Sequence, residues 1–198
     1  MRPCARLCSR LLLLFFIAAA PLEEKRIIDL YARGLAGDKE AVLDCIAALE
    51  TVCQKEPGNH FARVYLGSAY TLRSRDLGFG PNKLKTLQRG VALMDEAVTA
   101  APNEPKVRLT RALTTAALPA ILGYRAASRR DFQTLAEQAD RQSAAFEEGD
   151  LQIIYYNAGL AAKAGGDQTK ATALWQKARA HPAESSLTRK IETALQNR

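Results

Sequence analysis

The sequence contains few of the residues from which most catalytic and metal sites are built. Its 198 residues include two histidines, and neither His60 nor His181 has a histidine or cysteine neighbour at metal-ligand spacing. No serine lies in a glycine-flanked nucleophile turn. Gly78-Phe79-Gly80 lacks both the preceding strand and the lysine-serine ending of a phosphate-binding loop. We therefore expect no metal, no cofactor and no enzymatic activity.

Cysteine is also scarce, and disulfide bonds are not expected to hold the fold. Of the four cysteines, Cys4 and Cys8 lie in an N-terminal segment that we expect to be removed. Cys45 and Cys53 lie eight residues apart on one predicted helix. At about 1.5 Å per residue they are about 12 Å apart, beyond the roughly 7 Å limit for a disulfide. Both are expected to be small buried apolar side chains.

Long hydrophobic runs are absent except at the N-terminus, and that run is short. MRPCARLCSR is basic, LLLLFFIAAA is apolar and PLEEK is polar, which is the layout of a secretory signal peptide. The apolar run is about half the length that a bilayer-spanning helix needs. We therefore predict a signal peptide at residues 1–20, a helical domain at residues 21–198, and an exported, periplasmic protein without a transmembrane helix. An uncleaved N-terminal anchor and an organellar presequence are the alternatives.

Acidic residues are fewer than basic ones, but the imbalance is mild. The net charge is +7, and removal of Arg2, Arg6 and Arg10 with the signal peptide leaves +4. No clustering of basic residues stands out along the sequence, so a nucleic-acid partner is not expected. Alanine and leucine are abundant and β-branched runs are rare, which predicts an all-α protein.

The stretch Tyr155–Pro182 has the pattern of a helical hairpin. Ala158-Gly159 lies in the middle of an apolar helix with a 3.6-residue period, and Gly165-Gly166-Asp167 breaks that helix. One face of the second helix carries Ala171, Leu174, Trp175 and Ala178. This arrangement of a small-residue pair, a glycine turn and spaced alanine and aromatic residues resembles the tetratricopeptide repeat (TPR). Pro57, Leu66-Gly67 and Tyr70 show a similar register.

The resemblance implies an all-α, TPR-like right-handed superhelix of antiparallel helical hairpins. About four hairpins are expected, of which the first, up to Asn59, is degenerate. The third begins at Pro105, is interrupted by Pro119 and Gly123, and resumes with Ser128 as the predicted cap of its second helix. A C-terminal capping helix follows, with Ser185 or Ser186 as its cap. Its apolar stripe consists of Leu187, Ile191, Ala194 and Leu195.

One hairpin is longer than the family pattern allows. Pro57 and Pro102 are 45 residues apart, whereas the repeat period is about 34 residues. We place the eleven extra residues in a glycine-rich loop from Arg73 to Asn82. Basic residues surround Phe79 there, and such a loop would suit an anionic partner. The alternative is a solvated connection with Phe79 folded back onto the helices. The basic-loop residues are Arg73, Arg75, Phe79, Lys83 and Lys85.

In the TPR family the first helix of each hairpin turns one stripe of side chains into a concave groove. By register, the partner-binding stripe carried over to this sequence consists of Phe61, Val64, Ser68, Thr71, Leu109, Leu113, Ile153, Tyr156, Leu160 and Lys163, with Lys106 beside them. The alternative is that a short array closes on itself and these side chains fill a core.

The resemblance implies a protein–protein interaction adaptor or scaffold of the bacterial cell envelope, binding an extended or helical peptide segment in that groove. The identity of the protein partner does not follow from the residues. The alternative function is an envelope protein that binds a small ligand or lipid with the apolar groove and the basic 73–85 loop.

Overall fold

The computed structural model describes the backbone of residues 19–197 and the side chains of residues 23–197. The predicted signal peptide, apart from the backbone of Ala19 and Ala20, lies outside these residues and stays a prediction. The described chain contains nine α-helices and no strand. The helices are α1 (Ala19–Leu35), α2 (Lys39–Lys55), α3 (His60–Asp76), α4 (Pro81–Ala100), α5 (Pro105–Ala117), α6 (Arg125–Arg141), α7 (Glu148–Ala164), α8 (Gln168–Arg179) and α9 (Ser185–Gln196).

The helices pack as consecutive antiparallel hairpins, α1–α2, α3–α4, α5–α6 and α7–α8, followed by α9. The second helix of each hairpin also contacts the first helix of the next, as in a helical-repeat array. The core consists of three clusters of buried side chains. One lies among α1, α2 and α3, a second among α3, α4 and α5, and the largest runs from α5 to α9.

Side-chain caps mark the start of α2, α3, α8 and α9. The carboxylate of Asp38 accepts hydrogen bonds from the backbone of Glu40 and Ala41 at the start of α2, and Asp167 caps α8 in the same way. Such caps satisfy amide groups that have no partner within the helix. The predicted serine caps are wrong. Ser128 is buried inside α6 and donates a hydrogen bond to the carbonyl of Ala112 on α5, and the carboxylate of Glu184 caps α9.

Two glycines allow paired helices to come close together, as their positions in the sequence predict. A Cβ atom on Gly67 would lie 2.5 Å from the carbonyl oxygen of Gly90 on α4. A Cβ atom on Gly159 would overlap the indole ring of Trp175 on α8. Only a residue without a side chain fits at either crossing, because close-packed interiors cannot absorb the extra atom.

The eleven extra residues of the second hairpin are present, but all except one are helical. Gly67 faces Met94 twenty-seven residues later, whereas Gly159 faces Trp175 after sixteen. Helix α3 continues nine residues beyond Gly67, against five for α7 beyond Gly159. Most of the remaining residues extend the start of α4. The predicted long loop is therefore wrong: the connection is residues 77–80, and the hairpin extends by roughly 6–9 Å at 1.5 Å per residue.

A buried ion cluster joins the second and third hairpins, and the sequence pattern did not indicate it. Asp131 on α6 is 2% exposed and accepts hydrogen bonds from Arg108 at 3.0 Å and Arg111 at 2.6 Å. Arg111 also reaches Asp95 on α4 at 2.9 Å. Burial works against the Arg111 cation, but the hydrogen bond that it donates to Asp131 raises the pKa of the guanidinium above its usual value. The cluster therefore holds α4, α5 and α6 in one arrangement.

Candidate functional site

The structure divides the predicted groove stripe into buried and accessible members. Val64, Ser68, Thr71 and Leu109 are buried, so they cannot line an open groove, and this part of the prediction is wrong. The other members lie at least partly at the surface, and their role in binding stays a prediction. They are Phe61, Leu113, Ile153, Tyr156, Leu160 and Lys163.

On α3 the predicted stripe departs from the exposed face after Phe61: Val64 is buried, and Tyr65 lies at the surface instead. Val64 packs into the α3–α5 cluster, and Thr71 contacts the backbone crossing at Gly90. The outward row instead contains Phe61 and Tyr65, four residues apart and therefore on one face of the helix. Tyr65 was not among the predicted residues, because its spacing from Phe61 fits the helical period no better than that of Val64.

Phe61 and Tyr65 belong to an aromatic cluster that bridges α1 and α3. The ring centroids of Phe61 and Tyr65 are 4.7 Å apart, and those of Tyr65 and Tyr31 are 5.1 Å apart in an edge-to-face arrangement. Phe61 is 40% exposed, while the two tyrosines are half-buried. Aromatic side chains that are partly exposed and held by neighbouring rings present apolar area at low entropic cost.

Beside this cluster, an open cleft of about 960 Å³ lies between the first half of α1, the second half of α2 and the start of α3. Ile27, Val52, Ala62 and Tyr65 contribute to its apolar floor, and Ile28 lies exposed at its side. Acidic residues predominate among the charged lining residues. They are Glu23, Glu24, Asp44 and Glu56, against the basic Arg26 and Lys55.

Three hydroxyl groups in contact with one another connect the first helices of three hairpins. The Tyr31 hydroxyl lies 2.6 Å from the Ser68 hydroxyl, which lies 2.8 Å from the Thr114 hydroxyl on α5. Burial raises the pKa of Tyr31, and the hydrogen bond with Ser68 opposes that shift. The Ser68 hydroxyl therefore joins α1 to α5 from a buried position.

One predicted residue of the last hairpin, Tyr156, lines a smaller depression. Tyr156 on α7 and Arg189, Lys190 and Thr193 on α9 line a space of about 450 Å³. The carbonyl of Tyr156 accepts a hydrogen bond from the Trp175 indole at 3.2 Å, and the Lys163 ammonium lies 5.6 Å from the centre of that indole. Trp175 is 1% exposed, which agrees with its predicted place in the core.

The predicted basic-loop residues do not act as one group. The Lys83 ammonium donates hydrogen bonds to the carbonyls of Arg75 and Leu77 at the end of α3, and Arg75 donates to the carbonyl of Gly34. Lys83 therefore stabilises the α3–α4 connection, and Arg75 joins α3 to α1. Phe79 is fully exposed, so the alternative in which it folds back onto the helices is wrong.

The described residues include neither a metal-binding cluster nor a buried cysteine with a lowered pKa. No group of three or more His, Cys, Asp or Glu side chains among them is placed to hold a metal ion. Cys45 is buried and free, and burial raises the pKa of its thiol to about 11, which keeps it protonated and unreactive near neutral pH. Within residues 19–197, none of the helices combines the length and the apolar character needed to cross a bilayer.

Comparisons with known proteins agree with this architecture. No protein-family model matches the sequence, and no curated protein does. The chain is similar in structure to a thermophilic TPR protein from Thermus thermophilus, with a TM-score of 0.57 over 90% of this chain and 93% of that one. The sequence identity is 18%, so the likeness concerns the fold. It confirms the predicted all-α, TPR-like fold class.

Proposed function

We propose that the protein is a non-enzymatic adaptor of the cell envelope and that it binds a peptide segment of a partner protein in the α1–α3 cleft. TPR-like arrays commonly mediate protein–protein interaction, because stacked hairpins create extended concave surfaces. The observation that carries the proposal is the open 960 Å³ cleft beside the Phe61–Tyr65–Tyr31 cluster. The envelope setting follows from the N-terminal segment, and a purified protein that still begins at Met1 would contradict cleavage of that segment.

The cleft favours one kind of segment. Its apolar floor suits two or three hydrophobic side chains on one face of a helix or strand. Its acidic residues outnumber its basic ones, and the pairing of Arg26 with Glu23 at 3.8 Å leaves this excess unchanged. A segment with apolar residues flanked by lysine or arginine is therefore the best complement.

The cleft suits a peptide better than a small ligand. Small-molecule sites usually contain a few convergent polar groups that orient the ligand. Among the described residues, the buried side-chain polar atoms without a hydrogen-bond partner belong to His60, Asp76, Arg108 and Gln138, and none of these residues lines the cleft. The apolar floor and charged edge are features of a protein-binding surface.

The adaptor proposal predicts that Phe61→Ser weakens partner binding at least about tenfold, because exposed aromatic residues at the centre of an interface supply much of the binding energy. The measurement is affinity for the partner that copurifies with the wild-type chain. Leu160→Ser is the matched control, since Leu160 is also 40% exposed but lies on α7. Loss of binding in the Leu160 variant alone would move the site to the Tyr156 surface, and unchanged binding in both would contradict the proposal.

A further inference from the structure

Three turns of the array lie along one edge of the molecule. They join α1 to α2 (residues 36–38), α3 to α4 (residues 77–80) and α5 to α6 (residues 118–124), and we call them the turn edge. Arg75 near the second turn donates a hydrogen bond at 2.9 Å to the carbonyl of Gly34 near the first. Leu118 and Leu122 of the third turn pack against the cluster that contains Leu87 of α4. These contacts show that the three turns are neighbours.

The turn edge carries the most exposed large apolar side chains of the described chain. Phe79 is 107% exposed and Ile121 is 94% exposed, so folding uses neither side chain. Leu35 and Leu84 beside the same turns are 56% and 49% exposed. Phe79 lies at the end of the lengthened hairpin, between two glycines. Several exposed apolar side chains along one edge indicate a binding surface, whereas single ones scattered over a surface do not.

Positive charge accompanies these apolar side chains. Three acids near the turn edge are paired or buried: Asp38 pairs with Arg33 at 2.6 Å, Asp76 pairs with Arg75, and Asp131 is buried in its arginine cluster. Glu40, beside Lys39, is exposed and offsets one of the positive charges. Several cations have no such partner among the described contacts. They are Lys39, Arg73, Lys85, Arg125, Arg129 and Arg130, and all but Arg73 are exposed.

We propose that the turn edge docks on an anionic lipid bilayer surface, with Phe79 and Ile121 entering the interfacial region and the surrounding cations contacting lipid headgroups. Apolar side chains flanked by lysine and arginine are the combination that binds such surfaces. A nucleic acid fits less well, because base stacking requires π-faces, and Ile121, Leu35 and Leu84 have none. The proposal concerns a different edge from the α1–α3 cleft, so it stands or fails independently of the adaptor proposal.

The position of the tip can be tested in the full-length chain with a single added tryptophan. Trp175 is the only native tryptophan and is 1% exposed, so it contributes a constant background. Phe79→Trp should show a blue shift and quenching by brominated acyl chains in vesicles of phosphatidylcholine with about 30% phosphatidylglycerol, an anionic lipid that attracts basic surfaces. The same variant should show neither effect in pure phosphatidylcholine vesicles, because those vesicles carry no net negative charge.

Phe61→Trp is the matched control, since Phe61 lies in the first turn of α3 and therefore at the opposite end of that helix from Phe79. It should remain unquenched. Equal or stronger quenching of Phe61→Trp would overturn the proposed orientation, and unquenched Phe79→Trp would overturn insertion. A change in Phe79→Trp emission with a single-stranded oligonucleotide, but not with anionic vesicles, would overturn the lipid assignment.

The charges need a separate test with matched variants. Neutralising Arg125, Arg129 and Arg130 together as glutamine should weaken Phe79→Trp insertion into the anionic vesicles by about tenfold or more, since each cation near an anionic surface strengthens binding severalfold. The control replaces Lys25, Arg141 and Arg179 by glutamine, which removes the same charge from the opposite edge and should change the titration less than about twofold. Equal weakening by both sets would show a net-charge effect and overturn the proposal.

Discussion

Single residues decide how closely the helices of a hairpin approach one another. Gly67 and Gly90 bring two backbones together, whereas Gly159 receives the ring of Trp175. Gly67 and Gly159 occupy the same position in their repeats, but one lies against a helix backbone and the other against an aromatic ring. In the α3–α4 hairpin a second glycine replaces the aromatic residue as the close neighbour, and Met94 fills the remaining space.

Gly159→Ala should lower the free energy of unfolding by about 1–3 kcal/mol, because the added methyl group overlaps the indole ring in a packed core. The measurement is urea unfolding followed by circular dichroism. Gly149→Ala is the control: the nearest atom to its new methyl group is Ala183 Cβ at 3.8 Å, and helix propensity should leave stability unchanged or raise it by up to about 1 kcal/mol. Equal losses in both variants would contradict the role of the crossing.

The sequence was informative about these glycines and less so about the exposed row of α3. Small residues and turn residues act locally, so their spacing alone places them. Whether Val64 or Tyr65 faces outward depends on where α4 and α5 cross α3, which is a non-local property. Both residues fit a 3.6-residue period, and the period alone could not distinguish them.

At the scale of helices and turns, the lengthened hairpin shows why a loop was predicted and a helix found. Residues Arg73 to Asp76 are polar, but no helix breaker precedes Gly78. Pro81 is acceptable at the first position of α4, so the second helix begins as soon as the chain has turned. The composition indicated a solvated connection, while the positions of glycine and proline allowed both helices to continue.

The ion cluster of the third hairpin depends on Asp131, and Asp131→Ala should cost about 2–4 kcal/mol of stability. The substitution leaves the half-buried Arg108 without a carboxylate partner and Arg111 with only the exposed Asp95. Thermal or urea unfolding measures the loss. Asp95→Ala is the control, because the Asp95 side chain is 56% exposed. This substitution removes only the exposed partner of Arg111 and should cost less than about 1 kcal/mol. A mild effect of both substitutions would show that the cluster contributes little to stability.

At the scale of the whole molecule, stability should be divided along the array. The cluster among α1, α2 and α3 shares no buried residue with the cluster from α5 to α9, and repeat units contact mainly their neighbours. Trp175 lies in the second of these clusters and reports on it alone. Circular dichroism reports on all helices together.

Leu49→Ala in the first cluster should therefore separate the two signals. It removes about 2–5 kcal/mol from the N-terminal hairpins, so helicity should begin to fall at a urea concentration where Trp175 fluorescence is still native. Leu135→Ala in the second cluster should instead lower the fluorescence midpoint. Coincident transitions in the Leu49 variant would mean that the array unfolds as one cooperative unit.

The clustering of basic residues at the turn edge could not be recognised from the order of residues in the sequence. Lys39, Lys85 and Arg125 lie far from one another in the chain, more than one repeat period apart in each case, so no basic run appears. The repeat geometry brings their turns to one edge. In a repeat fold, residues that are one repeat or more apart in the sequence can lie on the same side of the molecule. The average composition of the chain does not reveal such a cluster of charge.

The support beneath Phe79 has a kinetic consequence. Lys83 and Arg75 fix the end of α3 to its surroundings, and the Ser74 hydroxyl donates a hydrogen bond to the carbonyl of Lys83 across the hairpin. The α3–α4 turn, held by these hydrogen bonds, therefore has the same backbone conformation before and after it contacts a surface. Little conformational entropy is then lost on contact, so encounter should be limited by diffusion and orientation and not by ordering of the tip.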